Sequence, residues 1–260
     1  MLILLPPSEG KKPAAAGPAY DAETLAFPEL SADRAEVLQA LAAVSGQEDA
    51  LEVLGVGASL AGEVTRNIAL LLYTEAPANE VYTGVLFEAL GYHSLTAAQR
   101  RTADASVVVV SALWGAVGFA DRIPAYRLSM SVKLPGIGKL ANWWKSRLNP
   151  VLGERAGDGL VIDCRSSTYA AAFTPPPQNT VAVSVFQLRG GRRKVVSHFA
   201  KHTRGEVARH VLARRSAPGS PEALLKAVQE KWDAELVPAT AKKAHQLNII
   251  LPEDHSFATK

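Results

Sequence analysis

At 260 residues, 48% of them hydrophobic and 20% charged, the chain can bury a large core without disulfides or metals, which excludes a disordered polypeptide. Its one cysteine excludes an intramolecular disulfide and fits a reducing compartment, so a cytoplasmic location is expected; no apolar run approaches the roughly 20 residues that span a bilayer, so no membrane association is expected. The net charge of +3 names no partner by itself, and the distribution of charge carries more information.

Residues 2–5 are a short apolar run closed by Pro6 and Pro7, the pattern of a buried strand and turn, with no basic region of the kind that opens a signal peptide. A lysine-bearing loop spans residues 8–12, and residues 13–28, rich in Ala, Pro and Gly, read as surface loop. Asp33 and Glu36 form a capping-box pattern ahead of Val37, Leu38, Leu41 and Val44 at helical spacing. Further helices are predicted around residues 49–54 and 59–72, whereas residues 80–90 fit no single period. Thr96 with Gln99 caps the next helix, and the four consecutive valines within residues 106–111 mark a strand buried on both faces. Residues 122–130 read as extended, 140–152 as helix and 160–163 as strand. Alternation over residues 181–188 and 195–200, on either side of Gly190 and Gly191, predicts a β-hairpin. Thr203 with Glu206 caps a helix through residue 212, Ser220 and Pro221 start another that reaches about residue 232, and residues 247–251 suit an edge strand. The predicted fold is α+β: one domain over residues 1–260, with a central mixed sheet surrounded by helices and a basic hairpin near residues 181–200.

Residues 189–215 contain nine Lys or Arg (189, 192, 193, 194, 201, 204, 209, 214, 215) against one acid, Glu206. The hairpin turn sets Arg189, Arg192, Arg193 and Lys194 at or beside its tip, where they suit a phosphate backbone or, equally, a solvated tip that discourages strand pairing. Arg204 falls in the first turn of the helix predicted after Thr203, where a cation opposes the helix dipole. With Lys201, and with Gly205 permitting close approach, the free N–H groups there suit one anchored phosphate; the alternative is an ion pair from Arg204 to Asp121 or Asp163. Residues 134–139 resemble the Gly-rich turn of helix-hairpin-helix elements, with Lys139 closing it, or else form an ordinary turn. Ser8 and Lys11 lack the companion motifs of phosphate loops and acyl enzymes. His198 and His202 have metal-like spacing with no third ligand nearby, so neither a metal nor a cofactor is expected. Cys164 reads as a small buried residue.

Several segments together resemble the YaaA family of peroxide-stress proteins: Val81-Tyr82-Thr83-Gly84, Ser111-Ala112-Leu113-Trp114-Gly115, Ala125-Tyr126-Arg127-Leu128-Ser129-Met130, and the stretch from Ser197 through His198, Lys201, Thr203 and Arg204 to Gly205. Residues 1–4 and 140–144, with Asp163, Ser166 and Tyr169, belong to the same resemblance. It implies a cytoplasmic protein linked to hydrogen peroxide survival, limited free iron and less oxidative DNA damage. It also implies DNA binding in a basic cleft bearing a helix-hairpin-helix-like element; double-stranded DNA, met through its backbone with little sequence preference, is the expected partner. By position, Lys11, Arg127, Lys133, Lys201 and Arg204 match basic family positions. Ser111, Asp121, Tyr126, Ser166 and Tyr169 are the polar pocket candidates. The competing reading is an enzyme acting on a nucleotide or nucleic acid through a Lys, Arg, Ser and Tyr pocket.

Overall fold

In the computed structural model, which describes residues 1–255 apart from the side chains of Ser197 and His198, eight strands form one sheet. In chain order they are Leu2–Leu5 (β1), Val107–Ser111 (β2), Gly115–Gly118 (β3), Val161–Asp163 (β4), Thr180–Arg189 (β5), Arg192–Val195 (β6), Asp233–Val237 (β7) and His245–Leu251 (β8). The spatial order is β7-β8-β5-β4-β1-β2-β3, with β6 paired to the far part of β5. Strands β8, β5, β4, β1 and β2 run parallel, while β7, β6 and β3 are antiparallel additions, so the sheet is mixed as predicted. All residues of β1, β2 and β4 are buried, Asp163 at the end of β4 included, which is why their sequences read as runs and not as alternations.

The main helices are Ser31–Ser45 (α1), Ala61–Ile68 (α2), Val85–Leu90 (α3), Ala97–Ser106 (α4), Leu140–Ala156 (α5), Ser197–Leu212 (α6) and Pro221–Gln229 (α7). The Thr96 capping box is present in both directions, at 3.3 Å to Gln99 N–H and 2.9 Å back to its side chain. Asp33 is not a cap: it lies in the first turn of α1 and pairs with Arg147 of α5. Trp144 of α5 is fully buried and donates through Nε1 to Ala112 O at 2.8 Å, locking α5 onto the turn between β2 and β3.

Three further expectations are corrected. The strand over residues 245–251 is not an edge but lies between β5 and β7, in register with β5 from His245↔Val181 to Leu251↔Gln187. The hairpin is real, with Gly190 and Gly191 at φ +58° and +71°, the left-handed pair a tight two-residue turn needs, yet its second strand is residues 192–195 and not 195–200. Helix α6 therefore begins at Ser197, six residues before the predicted start, and Thr203 is a fully buried interior residue of it, not a cap.

Candidate functional site

The parallel strands deliver their carboxyl ends to one edge of the sheet, the place where open sheets of this kind take ligands. There β1 runs into residues 6–12, β2 ends at Ser111, and β4 leads into Arg165 and Ser166. Residues 8–12 form a strap pinned to the chain after the short helix Ala78–Val81. Lys12 N–H donates to Val81 O at 2.9 Å, and Thr83 N–H donates to Ser8 Oγ at 3.0 Å.

The strap buries Lys11, leaving it 9% exposed, with Nζ donating to Ser8 O at 2.8 Å and Glu9 O at 3.4 Å and lying 4.3 Å from the centre of the Tyr126 ring. Among the described residues no carboxylate pairs with Nζ. Burial lowers its pKa to about 7; the charge of Glu9 resists, Arg127 lowers it further and Glu63 raises it. Beneath it, Ser111 Oγ accepts from Leu113 N–H at 3.2 Å and Trp114 N–H at 3.0 Å, which fills its lone pairs. The Ser111 hydroxyl therefore donates to Tyr126 at 2.6 Å, and Tyr126 donates in turn to Tyr82 at 3.1 Å. Burial pushes the pKa of both phenols well above the ordinary tyrosine value.

Arg127 is held from α2, whose Glu63 and Asn67 stand four residues apart on one helix face. Glu63 Oε2 accepts from Nη2 at 2.6 Å and Nε at 3.0 Å, while Asn67 bonds both the N–H and the carbonyl of Arg127 at 2.9 Å. Nη1 makes only a long contact, 3.5 Å, to Glu9, whose side chain is 62% exposed. Beside this lies a cleft of about 290 Å³ with Glu9, Arg127, Ser129, Ser131 and Lys133 as its polar wall and residues 53–56 opposite. Tyr169 borders the region: its hydroxyl accepts from Met130 N–H at 3.4 Å, and burial raises its pKa to about 12.

Residues 133–139 form a small ribbon, Lys133–Leu134 against Gly138–Lys139, in which exposed Lys133 and Lys139 are direct cross-strand partners. The chain before it, residues 124–132, contains no helix, so the element is a ribbon feeding α5 and not a helix-hairpin-helix.

The remaining candidates lie elsewhere. Asp121 accepts from Ala26 N–H at 3.0 Å and Gly118 N–H at 2.8 Å, and braces the chain beyond β3, outside the Lys11 pocket. Lys201 is exposed and Arg204 half-buried within α6; neither lines the cleft. Arg204 forms no ion pair with Asp121 or Asp163, since its Nε donates to Val183 O at 2.9 Å and Asp163 is held by Arg165 at 2.7 Å. The phosphate site predicted at Gly205 is overturned, because residues 201–206 are mid-helix with their N–H groups already used. Gly205 serves packing instead: a Cβ there would stand 2.1 Å from Leu86 O of α3. Ser166 is half-buried just ahead of the short helix Ser167–Ala170. On the hairpin, Arg193 pairs with Glu235 of β7 at 3.0 Å, while Arg192 and Lys194 are exposed. His198 of the spaced histidine pair has its side chain outside the described residues. No described helix is long and apolar enough to cross a membrane.

The sequence reading overlooked Glu63, Glu9 and Tyr82 as parts of the site. Tyr82 was within reach through the Val-Tyr-Thr-Gly element, but a glutamate on a helix surface carries no signal of its partner.

A family model described as "Peroxide stress protein YaaA" matches residues 1–235. A UPF0246 protein of Streptomyces coelicolor is 45% identical over 263 residues, covering 98% of this chain and 100% of its own length. UPF0246 proteins of Corynebacterium efficiens and Corynebacterium glutamicum are 44% and 39% identical, each covering 80% of this chain and 84% of its own length.

Proposed function

Because the chain belongs to the YaaA (UPF0246) family of peroxide stress proteins, we propose that it acts in the cytoplasm as a DNA-binding protein, gripping phosphates with little reading of bases and so limiting peroxide- and iron-dependent DNA damage. The observation that carries this reading is the pair Lys133 and Lys139. Two like charges set directly opposite on a ribbon destabilise it, and a bridging polyanion turns that repulsion into attraction. Lys133 also borders the cleft that holds Arg127, so a phosphate backbone crossing the ribbon enters the cleft. Arg192 and Lys194 on the hairpin offer a second, non-specific contact.

The test is duplex binding by the Lys133→Ala, Lys139→Ala double variant against salt, on two unrelated sequences. Losing two phosphate contacts lowers the magnitude of the salt slope by about 2 on both sequences alike. An unchanged slope overturns the reading.

A further inference from the structure

Lys11 is a buried lysine deprived of a counter-ion. The two carboxylates nearest the strap, Glu63 and Glu9, both go to Arg127, and Nζ is left with two backbone carbonyls and an aromatic face. An ammonium placed so gains less than it loses on desolvation, and the arrangement favours the free amine. Most lysines remain cations, useful for attraction and useless as nucleophiles; a neutral one at pH near 7 attacks carbonyl carbon.

We infer that Lys11 is a nucleophile that forms a Schiff base with an aldehyde carried next to a phosphate. The neighbouring cleft supplies the recognition. Lys133, Ser129 and Ser131 line it for the phosphate, and Arg127 has one nitrogen, Nη1, engaged only by the long contact to Glu9. A phosphate that takes Nη1 displaces the exposed Glu9 side chain. The carbonyl of Glu9 is one of the two acceptors of Nζ, so anion binding and uncovering of the amine are coupled through one residue. The reaction balances without a cofactor. The Nζ lone pair forms a bond to the aldehyde carbon as the C=O π bond opens, and a proton moves from nitrogen to oxygen to give a carbinolamine. That oxygen then leaves as water, and the resulting imine takes up one proton from solvent.

Two sources share this chemistry: an abasic site in DNA, whose opened sugar presents an aldehyde beside a phosphate, and a free sugar phosphate. The first rests on the DNA-binding reading and the second does not, which separates their failures. The experiment incubates the full chain with a duplex holding one abasic site and, separately, with glyceraldehyde 3-phosphate, each with borohydride present. Hydride addition fixes the imine as a stable amine, and peptide mapping by mass spectrometry locates it.

The expected result is modification at Lys11, accelerating as pH rises through about 7 and not near the ordinary lysine range. Lys11→Met loses it while circular dichroism and the melting transition report a folded protein. The mapping on the unsubstituted chain decides the matter even if that variant fails to fold. Modification by the abasic duplex alone assigns a DNA substrate. Modification by the sugar phosphate alone keeps the nucleophile and sinks its DNA source. Modification scattered over exposed lysines such as Lys133, Lys139 and Lys201, with Lys11 spared, overturns the inference.

Discussion

Glu63 holds Arg127 by two nitrogens, Nη2 at 2.6 Å and Nε at 3.0 Å, across 64 residues of chain. Arg127 is 7% exposed, so removing its partner leaves a nearly buried cation with only the long contact to Glu9. Glu63→Ala is expected to destabilise the fold by about 1 to 3 kcal/mol, measured by urea unfolding. Arg127→Leu, which removes the charge along with the pair, is expected to lose less.

The burial of Lys11 makes stability depend on pH with a definite sign. The folded pKa near 7 lies below the ordinary lysine value of 10.5, so between those values the unfolded chain binds the extra proton. Stability from this group therefore rises with pH across that window, by up to about 1.4 kcal/mol per unit. Below pH 7 the penalty of the buried ammonium applies in full, and above pH 10.5 it vanishes. Unfolding of the parent chain and of Lys11→Met at pH 7.5 and 9.5 checks this: the gap between them should move in favour of the parent at the higher pH.

Gly205 lets α6 lie flush against α3. With a Cβ 2.1 Å from Leu86 O and 2.9 Å from Ala89 Cβ, Gly205→Ala must push backbone and not merely a flexible side chain. A loss of about 1 to 3 kcal/mol is expected, read as a lowered melting temperature.

Arg193 is spent on Glu235, whose pKa its hydrogen bond holds below the ordinary glutamate value, and both side chains are largely exposed. On the proposed reading as a DNA-binding protein, Arg193→Ala should leave the salt slope of duplex binding unmoved. Arg192→Ala with Lys194→Ala should reduce it if the hairpin touches phosphate, so the two variants measured side by side separate a structural cation from working ones.

Cys164 is fully buried, and burial pushes its thiol up to about 12. Thiolate is the reactive form, so the native protein should resist a thiol-specific reagent at pH 8 and react only once unfolded. If the proposed role in peroxide stress holds, Cys164→Ala should leave it unchanged.

Strands β1 and β2 were legible because a strand buried on both faces writes its burial into consecutive residues. The Thr96 cap was legible because both its partners lie within one turn. Helix α6 was misplaced for an equally local reason: Val196 and Ala200, both buried, sit four apart and fit a helix as well as the alternation assigned to them. Thr203 and Glu206 then mimicked a cap inside it. Strands β3 and β7 each pair with a strand next to them in the chain, but they are short and carry no clean alternation, so no local pattern marks them. In the site, Lys11, Ser111, Tyr126 and Arg127 stood out through the motifs around them. Glu63 did not, because what makes it functional is the arginine it meets and not the helix it belongs to.

Placement of residues 245–251 inside the sheet has a temporal meaning. As the chain leaves the ribosome, β5 is made some 60 residues before the strand that covers its long edge, and until then the backbone of residues 181–187 faces outward on that side. An uncovered edge of alternating valines is a template for a second nascent chain. The basic hairpin that β5 carries, with exposed Arg192 and Lys194 at its end, puts mutual repulsion on the same segment during the interval when that repulsion is most useful.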